Sequence, residues 1–106
     1  MKLVIAIVHD EDSARLIVEL GKNQISVTKL ASTGGFLHSG NVTLMVGVEK
    51  EKVDFVIDII KSKCKSRTEL TSPPSLNMGM TIAWPVEVSV GGATIFVLDI
   101  DRFEKV

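Results

Sequence analysis

The chain has 106 residues, 45% of them hydrophobic and 24% charged, with a formal net charge of −1. This is one domain's length, enough to bury about two-thirds of the surface its unfolded chain exposes, so neither a disulfide nor a structural metal is required. The near-zero charge excludes broad attraction to nucleic acid or anionic membrane, which rests on many Lys and Arg contacts with phosphate, so an anionic ligand must be held locally.

Cys64 is the only cysteine, which rules out an internal disulfide framework and makes a reducing interior the simplest setting. The opening MKLVIAIVHDED has one Lys and a brief apolar run that meets acidic residues, unlike a signal peptide. No apolar run is long enough to span a bilayer, and the expected location is the cytoplasm, with no membrane or nucleic-acid partner.

In chain order, residues 2–8 form a continuous β-rich apolar run that suits a central strand buried on both faces. Asp10, Glu11, Asp12 and Ser13 then supply caps and negative charge for a helix N-terminus. The spacing of Ala14, Ile17, Val18 and Gly21 predicts a helix over about 12–22 that buries this stripe and ends near Gly21 and Asn23. Residues 25–31 read as a second strand, 32–41 as a Gly-rich loop (STGGFLHSGN), and 41–48 as a third strand. In the third strand Val42, Leu44, Val46 and Val48 take the core face, leaving Asn41, Thr43, Met45 and Gly47 for ligand or subunit contact.

Val53, Val56, Ile57, Ile60 and Cys64 recur at helical spacing, with Glu51, Asp54 and Asp58 early and Lys61, Lys63 and Lys65 late, as the helix dipole prefers. Residues 66–83 carry Pro73-Pro74 and no sustained period, so a long loop is expected there. Residues 86–90 and 93–98, joined by Gly91-Gly92, read as a β-hairpin. The order fits a single-domain ferredoxin-like α+β sandwich (βαββαβ) with an additional C-terminal strand. Two helices cover only one sheet face, while 2–8 and 93–98 are apolar on both, so the other face should be buried by further subunits.

The segments TKLASTGGFLHSGN (28–41) and VEVSVGGATIF (86–96) resemble the PII-like cyclic di-AMP receptor family, the PstA/DarA proteins, and the resemblance runs from the IAIVHDED start to the DRFEK end. It implies a homotrimer of ferredoxin-like subunits that binds one cyclic di-AMP in each inter-subunit cleft. Mobile loops would report occupancy to an unidentified protein partner, with no catalysis and no other cofactor. The ligand positions it implies are Gln24, Ser26, Val27, Thr28, Gly35, Phe36, Leu37, Asn41, Gly47, Phe96 and Lys105. In the family an Asn and an Arg stand at the first two of these, and a Gln at the last. Gln24 keeps amide chemistry, Ser26 lacks reach and charge, and Lys105 adds a cation.

The residue chemistry agrees. Glycines let backbone N–H groups approach a phosphate closely, which suits Gly34, Gly35 and Gly40. Thr28 and Asn41 offer neutral hydrogen-bonding groups at the loop's ends, and Phe36 and Leu37 offer apolar cover for an adenine. Taken alone these features are ordinary: a Gly-rich turn, an Asx cap at Asn41, loop packing at Phe36 and Trp84, gap-filling at Met45, Met78 and Met80, and a core thiol at Cys64. His9 and His38 stand in no Cys/His/Asp cluster with ligand spacing, so no metal is expected. A PII-type ATP/ADP sensor would need a longer loop between the second and third strands and several cations, and this loop has no Arg or Lys. A structural or metal-responsive trimer is a further alternative. An acylphosphatase-like enzyme needs a cation near an anion-binding loop, and Arg15 lies within a helix.

Overall fold

The computed structural model describes residues 1–30, 40–71 and 86–106, with side chains outside 69–71 and 86–88. Its elements are β1 (Lys2–His9), α1 (Asp10–Lys22), β2 (Thr28–Leu30), β3 (Asn41–Val48), a 3-10 turn (Lys50–Lys52), α2 (Val53–Lys63), β4 (Arg67–Thr71), β5 (Val86–Val90) and β6 (Ala93–Asp99). The main sheet is antiparallel in the order β2-β3-β1-β6, and β4 pairs with β5 in a separate two-stranded ribbon. That order, with both helices on one face, is the ferredoxin-like arrangement. The strand that completes the main sheet is β6; the additional pair, β4 and β5, precedes it in the chain.

Period-two alternation sets the two faces of the sheet. Val4, Ala6 and Val8 of β1 and Leu44, Val46 and Val48 of β3 are buried together with Leu16, Leu20, Ile25, Val56, Ile59, Ile60 and Cys64. This single cluster is the core between sheet and helices, and the predicted alternation of β3 holds throughout. The odd-numbered positions of β1, expected to be as buried as the even ones, are only half-buried because no element of the described chain covers them.

Several expectations change. The buried stripe of α1 is Asp12, Ser13, Leu16 and Leu20, with Ile17 packed at its edge, while Ala14, Val18 and Gly21 are exposed. Two stripes one residue apart both satisfy helical spacing, and docking selects the one that buries two leucines. The helix also begins two residues earlier than predicted, with no side-chain cap: His9 is the N-cap, and Ser13 Oγ donates to Asp10 O at 2.7 Å.

The second change concerns residues 66–83, whose first part forms strand β4. The third concerns the expected hairpin. β5 pairs with β4 and β6 pairs with β1, so Gly91 and Gly92, at φ +80° and +86°, steer the chain from the ribbon into the main sheet. A two-residue hairpin would have paired β5 with β6 instead. The second strand is also shorter than 25–31: Ile25 is buried and Val27 packs on the core, and pairing is confined to Thr28–Leu30, residue 31 lying outside the described chain.

Candidate functional site

The uncovered sheet face can be read from strand register. One row runs Thr28, Met45, Ile5, Phe96 across all four strands. The next rows are Leu30, Thr43, Ile7, Thr94 on one side and Gly47, Leu3, Leu98 on the other, with Asn41 opposite His9 at the end of β3. Four of the positions implied by the resemblance, Thr28, Asn41, Gly47 and Phe96, therefore lie on this one face. Its centre is apolar, and Leu30, Phe96 and Leu98 are 42%, 50% and 45% exposed. The face carries no Lys or Arg in these rows, so it can offer apolar cover and neutral hydrogen bonds but not a cluster of cations.

The remaining implied positions divide. Ile25 and Val27 turn to the core, so Gln24, Ser26 and Thr28 alternate outward along the approach to β2, and all three are exposed. Gln24 adopts φ 58° and donates from Nε2 to Lys22 O at 3.4 Å. The Val27 side chain is engaged with the core, which leaves its backbone for contact. Lys105 is exposed in the stretch after β6. Gly35, Phe36 and Leu37 lie outside the described residues, as do Gly34, His38, Pro73, Pro74, Met78, Met80 and Trp84.

Gly47 is informative because the fold of this chain makes no demand for glycine there. A Cβ placed there would meet only Met1 Cε, at 3.8 Å, an ordinary contact. Near the other end of β3, Asp10 N donates to Gly40 O at 2.5 Å, which ties the entry of that strand to the start of α1. A recess of about 160 Å³ beside Asn41 is lined by Ile7, His9, Gly91, Gly92, Ala93 and Thr94. His9, Gly92 and Thr94 are not among the site residues predicted from sequence. Only the register that sets His9 against Asn41 and Ile7 against Thr94 brings them together.

A larger recess of about 480 Å³ lies at the helix ends, lined by Arg15, Ser62, Lys63, Lys65, Ser66 and Arg67. Its guanidinium groups are committed within the fold. Arg15 donates to Lys63 O and Arg67 to Lys65 O, each at 3.2 Å, and both pair with the buried Asp12 carboxylate. Size alone is a poor guide here, and the open sheet face is the better candidate.

Beside that recess, Cys64 is 1% exposed, and burial followed by the nearby Asp12 charge pushes its thiol up to about 11. It is a packing residue held as the thiol, not a nucleophile. Among the described residues no three His, Cys, Asp or Glu side chains converge as a metal site, and no helix is long and apolar enough to cross a membrane.

The chain is similar to a protein from Pediococcus pentosaceus ATCC 25745 whose crystal structure is described as that of a functionally unknown protein. The two are 44% identical over 99% of this chain and 96% of that one, with a TM-score of 0.79. That likeness supports the fold and carries no function. The family described as "Cyclic-di-AMP receptor" matches residues 1–106. With its whole length matched, the chain belongs to the cyclic-di-AMP receptor family.

Proposed function

We propose that this protein is a cytoplasmic signal-transduction protein that holds cyclic di-AMP on the open sheet face, between subunits of a PII-like homotrimer. Occupancy is relayed by rearrangement of the 32–41 loop to a downstream protein partner. The observation that carries the reading is the gathering of Thr28, Asn41, Gly47 and Phe96 on one uncovered face. Thr28 and Phe96 stand on the two edge strands, three strand spacings or about 14 Å apart. A ligand that meets both kinds of contact in a compact cleft would draw one from each of two subunits, and a largely apolar face is what such packing requires.

The electrostatics favour a cyclic diester over a triphosphate. Cyclic di-AMP carries two separated single charges and two adenines, so a few neutral donors, glycine N–H groups and one cation such as Lys105 suffice. A nucleoside triphosphate concentrates about four charges in one chain and calls for clustered Lys and Arg. The open-face rows hold none. Gln24, Ser26 and Val27 would contribute from the approach to β2, and Gly35, Phe36 and Leu37 would complete the phosphate and base contacts. No catalytic role is assigned to any of these residues.

A thermal-shift comparison of cyclic di-AMP, cyclic di-GMP, ATP and AMP tests the reading. A saturable rise in melting temperature with cyclic di-AMP, larger than with the other three, is expected by linkage of binding to folding. An equal or greater rise with ATP would replace the reading with a PII-type sensor. No rise with any nucleotide would favour a trimer without nucleotide binding. Cyclic di-AMP should be recovered unchanged after incubation, and chromatographic appearance of a linear product would overturn the receptor-only role.

A further inference from the structure

The buried carboxylate of Asp12 is unusual in this small core. It is fully buried on α1, yet Oδ2 has no hydrogen-bond partner among the described residues. Its Oδ1 is shared by two guanidinium groups: Arg15 Nη2 at 2.5 Å from the same helix, and Arg67 Nη2 at 3.2 Å from the first residue of β4. Burying a carboxylate is costly unless such partners hold it, so removing one of them has a large effect.

Where the ribbon returns to the sheet, the same cluster meets Gly91. A Cβ built there would fall 2.6 Å from Arg67 Nη1, 2.6 Å from Lys65 O and 3.3 Å from Asp12 Oδ2. Gly91 also lies at φ +80°, where a side chain is strained. The next residue, Gly92, donates its N–H to Cys64 O at the end of α2. The start of β4 and the exit from β5, which face each other in the ribbon, are thus gathered at one point. The two glycines also line the recess beside Asn41, His9 and Thr94 on the candidate ligand face.

We propose that Asp12 is a positioning residue that anchors the β4–β5 ribbon through Arg67 and couples its orientation, across the Gly91–Gly92 joint, to occupancy of the site beside Asn41. The coupling rests on the ligand reading above; the anchoring does not. A ligand that shifts Gly92 or Thr94 displaces the joint. Because the space beside Gly91 is so narrow that an added Cβ would collide with the Arg67 guanidinium, a displacement of the joint toward that side bears on the ribbon's first residue. Without the anchor, the joint can move while the ribbon does not follow.

Amide hydrogen exchange of the full chain tests both halves. In the ligand-free protein, Asp12→Asn and Arg67→Gln should raise exchange at 67–68 and 89–90 by at least about tenfold relative to β1 and β3. Arg15→Gln removes the other partner of the same carboxylate without touching the ribbon, and should change that ratio by less than about threefold. With saturating cyclic di-AMP, wild-type exchange in the ribbon should shift, and Arg67→Gln should lose the shift while its Kd stays within about threefold of wild type. If exchange rises equally in ribbon, β1 and β3, or if all three variants behave alike, the cluster serves general stability only and the anchor is overturned. A ligand-induced ribbon shift that survives Arg67→Gln overturns the coupling. Failure of wild-type protein to bind cyclic di-AMP removes the ligand reading and the coupling with it, while the ligand-free exchange still decides the anchor.

Discussion

Cys64 and Gly47 show how single residues separate what the fold needs from what a ligand needs. The Cys64 thiol is raised to about 11 by burial and by the Asp12 charge, so in the folded protein it stays protonated where an unfolded thiol ionises. Its contribution is fully present below the unfolded value near 8.5–9 and is lost as pH climbs through the folded value. Stability should therefore fall between about pH 9 and pH 11, by about 3 kcal/mol at most from this group. Cys64→Ala should flatten that part of the pH profile measured by urea denaturation; an unchanged slope would assign the alkaline loss to other groups. Gly47→Ala should leave stability within about 0.5 kcal/mol, because a Cβ there meets only the end of the Met1 side chain. The same change should weaken cyclic di-AMP binding by about tenfold if an adenine edge approaches this backbone, and equal affinity for the two proteins would remove Gly47 from the site. His9 was legible as a polar residue at the end of a strand, but its place opposite Asn41 was not, because facing pairs depend on register between distant segments.

At the scale of elements, α1 and the β4–β5 ribbon mark where local pattern stops being decisive. Helical spacing is satisfied both by Ala14, Ile17, Val18, Gly21 and by Ser13, Leu16, Ile17, Leu20, so periodicity identified a helix without choosing its face. The choice is tertiary: Leu16 and Leu20 fill the core and Asp12 reaches Arg67, while Val18 remains 57% exposed. Leu20→Ala should accordingly cost about 3 kcal/mol and Val18→Ala less than about 0.5 kcal/mol in chemical denaturation, and the reverse order would mean the helix docks by its other stripe. β3 and α2 were easier because one stripe dominates each, as Leu44 and Val46 do on β3 and Val56 and Ile60 on α2. Two glycines between β-rich runs commonly make a hairpin turn, so local pattern predicts one at Gly91-Gly92. Consecutive positive φ values also permit a change of sheet, and the choice of partner rests on Arg67 and the Cys64 carbonyl, both distant in sequence from β5 and β6.

For the whole molecule, the apolar open face connects the fold to the proposed function. Counting helices against sheet faces made that face foreseeable from sequence, and the resemblance of 28–41 and 86–96 to cyclic di-AMP receptors pointed to the ligand class. How Thr28, Asn41, Gly47 and Phe96 come together was not foreseeable, since it follows from the β2-β3-β1-β6 order. If subunits pack through this face, Leu98→Glu, at an edge position 45% exposed in the single subunit, should convert a trimer to monomers in sedimentation velocity without unfolding the domain. A trimer that persists in this variant would place the interface elsewhere. The most direct test of the central claim is isothermal titration of the wild-type protein with cyclic di-AMP. The account predicts saturable heat, one ligand per subunit and a Kd on the order of micromolar or tighter, whereas the absence of saturable heat at ligand concentrations about a hundredfold higher would contradict it.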